Sequence, residues 1–291
     1  MKIKILIPIY NDWQSVFNLL DEINIKINQS DYEISIIIIN DASNHDRQEV
    51  EKNFENIRSI KVLNMKNNQG HTRCIATGLK YIFEKEEFDY VIPMDGDGED
   101  RPDEIKEFID QIKNSNNKPI VGERVKRSEN LIFQICYKLH KLITFTFTGK
   151  SIKFGNFTCL PKSTVEKMIN EKATWSSFSG SLTKLEKNRS TIPSIRGSRY
   201  FGPSKMSFYN LIKHSLSIIA VFKTNVIIRS ILFFLIYLFL ISENITYITA
   251  IPLIAVIAFV ISVLAISKRE NIYELNDSLS NINNIDEIKS N

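Results

Sequence analysis

From Asn244 to Ser267 the sequence runs 24 residues without a charged side chain, and few soluble folds can hide such a segment. A helix rises ~1.5 Å per residue, so crossing the hydrocarbon core of a bilayer takes about 20 apolar residues. The run NITYITAIPLIAVIAFVISVLAIS meets that length and is expected to span a membrane. The preceding stretch Val226–Ser242 is nearly as apolar, and Arg229 lies close enough to its start to extend to the interface. Only a few residues around Glu243 separate the two, which predicts a transmembrane hairpin over 225–267. Pro252 is compatible with the second span, because neighbouring helices and side chains can satisfy the backbone groups that a kink frees.

The basic residues orient this hairpin. Lys213, Lys223 and Arg229 precede it, Lys268 and Arg269 follow it, and Glu243 alone charges its turn. By the positive-inside rule both ends face the cytoplasm. No comparable apolar run occurs earlier, so residues 1–205 are expected as a cytoplasmic domain of an integral protein of the cytoplasmic membrane. In the segment 206–224, Leu211, Ile212, Leu216, Ile218 and Ile219 share a helical face opposite Lys213 and His214. That pattern fits an amphipathic helix in the membrane interface, with a core helix of the soluble domain as the alternative. Residues 268–291 are polar, Asn-rich and without strong periodicity, and are expected as a solvated cytoplasmic tail.

The formal net charge is +4, yet five basic residues and no acid lie between Arg199 and Arg229. The excess charge therefore sits where the chain meets the membrane. Attraction to anionic lipid accounts for it at ~1 kcal/mol per basic residue; contact of Arg199 and Lys205 with phosphates is the sharper reading. Nucleic-acid binding would need a basic face with aromatic platforms, and nothing in the chain requires it. Three scattered cysteines (Cys74, Cys136, Cys159) are too few for a disulfide framework or a zinc site.

The first part of the chain alternates strand and helix. Ile3–Ile9 and Glu33–Ile39 are almost continuous apolar runs, as expected for strands covered on both faces. Ile60–Leu63, Tyr90–Pro93 and Pro119–Val121 add shorter ones. Helical patterns follow at Val16, Leu19, Leu20 and Ile23, over His71–Phe83, and from Pro102 onward. This alternation predicts a mostly parallel α/β sheet with ligands at the carboxyl ends of its strands. Polar residues gather there: Tyr10-Asn11-Asp12, Asp41, and the cluster Asp95–Asp100.

Asp95 and Asp97 flank Gly96, so a tight turn could aim both carboxylates at one cation. Hard oxygen ligands on a loop suit Mg2+ or Mn2+, with diphosphate oxygens completing the coordination. The alternative is a solvated turn or acidic helix start, which stabilises the helix dipole by about 1 kcal/mol at most. An EF-hand is excluded because the twelfth position is Lys106, and Thr148-Gly149-Lys150-Ser151 lacks the first glycine of a phosphate loop.

Taken in order, these motifs resemble the family 2 glycosyltransferases of GT-A fold. They look most like the membrane-anchored branch with dolichol-phosphate mannosyltransferase and bacterial polyprenyl-phosphate glycosyltransferases. Pro8-Ile-Tyr10-Asn11-Asp12 resembles the family's opening motif, Asn40-Asp41-Ala42-Ser43 its VDDGS, and Asn68-Gln-Gly70 its NxG helix start. Met94–Pro102 resembles MDADLQDPP, Val121-Gly122-Glu123-Arg124 the VxGxR strand, and Arg199–Lys205 the RxxGxSK segment.

The resemblance implies a Rossmann-like GT-A sheet with helices on both faces and inverting transfer of a sugar from a nucleotide-diphosphate sugar. The implied acceptor is polyprenyl phosphate, with another lipid or glycan hydroxyl, or a non-catalytic nucleotide-sugar-binding protein, as alternatives. It further implies that Pro8, Tyr10, Asp12 and Asp41 hold base and ribose, and that Asp95, Asp97 and Glu99 bind Mg2+ or Mn2+. Arg124, Arg199 and Lys205 would then neutralise phosphates. The chain departs from the pattern at Asn40 and Ala42, and at Lys153–Lys162, where the family's acceptor segment opens with an Asp.

Overall fold

The computed structural model describes residues 1–27, 32–45, 47, 53–126, 131–202 and 207–289. Among these, one sheet contains β1 (Lys2–Ile9), β2 (Glu33–Asn40), β3 (Ser59–Met65), β4 (Tyr90–Pro93), β5 (Ile120–Lys126), β6 (Thr158–Pro161), β7 (Ser190–Ile195) and β8 (Ile282–Lys289). Their spatial order is β7-β5-β6-β4-β1-β2-β3-β8. The helices of the α/β part are α1 (Trp13–Lys26), α2 (His71–Lys85), α3 (Asp103–Ile112), α4 (Leu131–Thr148), α5 (Lys162–Ile169) and α6 (Phe178–Leu185). The remainder are α7 (Phe208–Ala220), α8 (Lys223–Ile241), α9 (Tyr247–Ser267) and α10 (Ile272–Asn276).

Strands β3, β2, β1 and β4 run parallel, as the alternating sequence predicts. β6 is antiparallel to both β4 and β5, and β8 is antiparallel to β3. The pleat divides each apolar run between two cores. Ile3, Ile5, Ile7, Ile34, Ile36 and Ile38 pack with Val16, Leu19, Leu20 and Ile23 of α1 and Phe108 of α3. Leu6, Ile37 and Ile39 face the other way, against Cys74, Ile75, Leu79 and Ile82 of α2 and Phe178 of α6. Each such fully buried side chain contributes about 1.5–3 kcal/mol, which is why these strands need no alternating polar face.

The tail departs from expectation. Rather than being solvated, it docks as α10 and then adds β8 to the sheet edge. Two irregularities of register in the β3–β8 pairing explain why the strand escapes a period-two search. Its isoleucines, Ile282, Ile285 and Ile288, are three apart, yet Ile282 and Ile288 both reach the core. Upstream, Trp175 is buried, donates Nε1–H to Glu274 Oε2 at 2.6 Å, and is stacked by Arg73. It anchors α10 through Glu274.

A second departure is α4, 18 residues long, which the sequence patterns above do not resolve. It exposes Leu139, Leu142 and Phe145. It ends at Gly149, whose φ of +71° terminates the helix. Asn225 Nδ2 and Arg229 Nη1 of α8 then donate to the carbonyls of Thr148 and Thr146 at 3.0 and 2.9 Å. The basic residue near the start of the first apolar span thus caps a neighbouring helix, and the phosphate-loop-like sequence is a helix terminus.

Helices α8 and α9, of 19 and 21 residues, form the expected hairpin, each long and apolar enough to cross a membrane. Their surfaces expose Ile231, Leu235, Phe239, Ile251, Ile254 and Ile261, an apolar area that water would not tolerate on a monomer. α7 buries only Ser217–Ala220 and exposes Phe208, Tyr209 and Ile212. Arg269, just past the hairpin, donates to Ser217 Oγ of α7 at 3.1 Å.

Candidate functional site

Parallel pairing sends the loops after β1, β2 and β4 to one sheet edge, and most of the charged residues anticipated from sequence meet there. The β4 loop turns at Gly98, φ +88°, where a Cβ would lie 2.5 Å from the Tyr200 ring. Tyr200 N donates to Asp97 O and Gly197 N to Glu99 O, both at 2.9 Å, so residues 197–200 are laced to the acidic turn. This lacing positions Arg199. One guanidinium nitrogen pairs with Asp97 Oδ2 and another donates to Asp12 Oδ2 at 3.0 Å, tying the β1 and β4 loops together.

The acidic turn is electrostatically crowded. Burial and the neighbouring Asp95 charge push Asp97 up to about 6. The same two causes push Asp100 up to about 8, although its Oδ2 accepts from Asp95 N at 2.9 Å. Asp95 goes the other way. Burial opposes its charge, but His71, Arg124 and Arg196 outweigh burial and hold its carboxyl below the usual range. His71 Nε2 lies 2.9 Å from Asp95 Oδ1. Burial disfavours the imidazolium, yet the surrounding carboxylates raise His71 above its ordinary value. His71, at the start of the helix that follows Gly70, is therefore a member of the cluster.

Other expected residues are placed differently. Glu99, anticipated as a third metal ligand, pairs with Arg196. Asp41 is buried, and its two carboxylate oxygens accept from Gln69 N at 2.7 Å and Gly70 N at 2.9 Å. It braces the approach to α2, a role closer to a helix cap than to an open ligand contact. Pro8 is buried within β1 opposite Ile39, beneath the site. Tyr10 is exposed at the strand end, and Asp12 accepts from Ser15 as well as Arg199. Arg124 lowers both Asp95 and Asp100 through its charge. Lys205 lies outside the described residues.

Among the described residues, no three His, Cys, Asp or Glu side chains converge as a metal cage. Two neighbouring carboxylates, Asp95 and Asp97, instead suit a hard divalent cation that shares its coordination with substrate phosphates. The charges of the site reach the membrane-proximal helices. His214 of α7 is pushed down to about 4 by burial and by the charges of His71 and His140, and it also feels Asp95 and Arg124. α7 packs on α4, α6 and α9 and leads directly into α8.

Residues 4–171 match glycosyl transferase family 2. The chain belongs to that family. A curated relative, the undecaprenyl-phosphate 4-deoxy-4-formamido-L-arabinose transferase of Salmonella choleraesuis, is 26% identical over 218 residues, covering 72% of this chain. The match spans 64% of that relative's length. Among solved structures, glucosyl-3-phosphoglycerate synthase from Mycobacterium tuberculosis, in complex with Mn2+, UDP-glucose and phosphoglyceric acid, superposes with a TM-score of 0.54. It is 12% identical and covers 77% of this chain and 79% of that one. A mannosyltransferase from Pyrobaculum calidifontis in complex with GDP-Man and Mn2+ gives a TM-score of 0.52 at 12% identity, covering 96% and 74%. At such identities the structural likeness speaks for the GT-A fold alone.

Proposed function

We propose that this family member is an inverting glycosyltransferase of the cytoplasmic membrane that moves a sugar from a nucleotide-diphosphate donor to polyprenyl phosphate. The observation that carries the reading is an acidic turn bearing Asp95 and Asp97, tied to Arg199, in a chain whose α7 feels the charges of that turn and leads into an apolar hairpin. A charged donor and a membrane-held acceptor call for both parts in one protein.

The chemistry follows from charge. A phosphate monoester has a second pKa of about 6, so the acceptor oxygen is already ionised at pH 7 and needs no base. It attacks the anomeric carbon as the bond from that carbon to the diphosphate oxygen breaks, with inversion. Negative charge then grows on the departing nucleoside diphosphate. Arg199 and Arg124 would stabilise it, and Lys205 is assigned the same part by its motif. Asp95 and Asp97 would hold Mg2+ or Mn2+, which supplies Lewis-acid neutralisation of the diphosphate. Tyr10 and Asp12 border the nucleotide, while Pro8 and Asp41 shape that end from beneath.

A hydroxyl acceptor would need a general base. Asp100 accepts from Asp95 N at 2.9 Å, and Glu123 is paired with Lys153 at 2.7 Å. Both carboxyls are engaged within the protein, and a phosphate acceptor needs neither.

The docking of β8 against β3 supports a topology in which the chain leaves and returns on one side of the membrane. With the basic residues flanking the hairpin, that side is the cytoplasm. The exposed apolar faces of α4 and α7 then rest in the interface. Membranes containing the protein, supplied with a panel of labelled nucleotide sugars, Mn2+ and polyprenyl phosphate, should yield labelled lipid. The yield should vanish in Asp97→Asn. Nucleotide-sugar binding without turnover across all acceptors would refute the proposal.

A further inference from the structure

We infer that the strand following the membrane hairpin sets the nucleotide end of the site, with Asp286 and Asn64 acting as positioning residues for Asn40. The inference rests on the proposed place of the nucleotide beside residues 10–12 and 40–45. The Asp286 carboxylate offers only acceptors, so the Asn64 side chain turns Nδ2 towards its Oδ2, at 3.0 Å. Asn64 Oδ1 is thereby committed to the opposite side, where it accepts from Asn40 Nδ2 at 2.8 Å. Asn40 Oδ1 in turn accepts from Ser43 N at 3.1 Å. Ser43 Oγ accepts from Asn11 N at 2.8 Å, and Asn11 Oδ1 accepts from Asn44 N and His45 N at 3.0 and 3.2 Å. Donor and acceptor alternate along the whole chain, from the last strand to the loop after β1.

This alternation explains the amide at position 40, where the family resemblance leads one to expect a carboxylate. An Asp there would keep the contact with Ser43 N but turn a carboxylate oxygen towards Asn64 Oδ1. Rotating the Asn64 amide would cure that clash and create the same one at Asp286. Asn40 is buried, so water cannot relieve the repulsion. An Asn at 286 would resolve it, since its amide can donate to the rotated Asn64. The identities at 40 and 286 are therefore coupled across the hairpin. Asp286 also pairs with Arg47 at 3.3 Å, but both side chains are about a third exposed and the pair is weak.

The 291-residue wild type, Asn40→Asp, Asp286→Asn and the double variant, each in nanodiscs, are titrated with UDP and GDP and melted thermally. Asn40→Asp should weaken binding of the preferred nucleotide about tenfold and lower the melting temperature, as expected for one frustrated buried hydrogen bond. Asp286→Asn should stay within about twofold of wild type, and the double variant should recover both quantities. An additive double variant, or an Asn40→Asp protein that binds and melts like wild type, would overturn the inference. If wild type binds neither nucleotide, the nucleotide reading of the loop falls; the melting pattern still decides the coupling, by rescue or additivity.

Discussion

Arg199 joins two loops through two carboxylates, and the planar fork of a guanidinium makes that possible. Lysine keeps the charge but offers a compact ammonium that cannot meet Asp12 and Asp97 at once. Arg199→Lys should lower kcat/KM about a hundredfold while shifting stability by under about 1 kcal/mol, as steady-state kinetics and thermal melts would report. Glu86 makes a different residue-level test, remote from the site. Burial opposes its charge, but hydrogen bonds from Lys4 and Lys61, both at 2.8 Å, outweigh burial and keep the carboxyl below its usual range. A depressed folded-state pKa contributes stability that is complete above the unfolded value near 4.5 and is lost as pH falls through the folded value. Glu86→Gln should cost about 3 kcal/mol at pH 7, because it removes the carboxylate from the buried Lys4 and the partly exposed Lys61, and the difference should shrink as pH falls below the unfolded value near 4.5. Equal losses at pH 7 and pH 3 would rule out the ion pairs as the cause.

Among the elements, the turn at Gly98 and the end of α4 carry the most specific demands. Gly98→Ala must displace Tyr200 and strain a φ of +88°, so activity should fall at least tenfold through the misplacement of Arg199. Arg229→Ala removes a donor from the α4 terminus, and hydrogen exchange in α4 should rise while the β1–β4 amides stay protected. Legibility in the sequence follows the same division. β1, β2 and α2 were readable because their apolar side chains repeat at the period of the element that buries them. β8 was not, because two register irregularities break its period, and α4 was not, because its apolar residues lie on exposed and packed faces alike. At the site, Asp12, Asp95, Asp97 and Arg199 were readable from motif order. The engagement of Asp41 with backbone and the approach of His71 to Asp95 are tertiary facts that spacing does not encode.

On the proposed function one constraint organises the whole molecule: a charged reaction has to occur beside an apolar hairpin. The chain answers by threading α8 and α9 between two parts of the same sheet, since β8 pairs with β3 only after the hairpin has returned. Truncation after residue 267 should therefore bare the β3 edge and lower the melting temperature, whereas a freely solvated tail could be removed without effect. Transfer to a phosphate oxygen is the central claim, and the bond it makes has a chemical signature. A sugar on a lipid phosphate is released by mild acid; a sugar on a hydroxyl is retained. Membranes given labelled nucleotide sugar and polyprenyl phosphate should form lipid whose label is released by mild acid, and Asp97→Asn should abolish it. Acid-stable labelled product, or label incorporation unchanged when polyprenyl phosphate is withheld and in Asp97→Asn, would contradict the account.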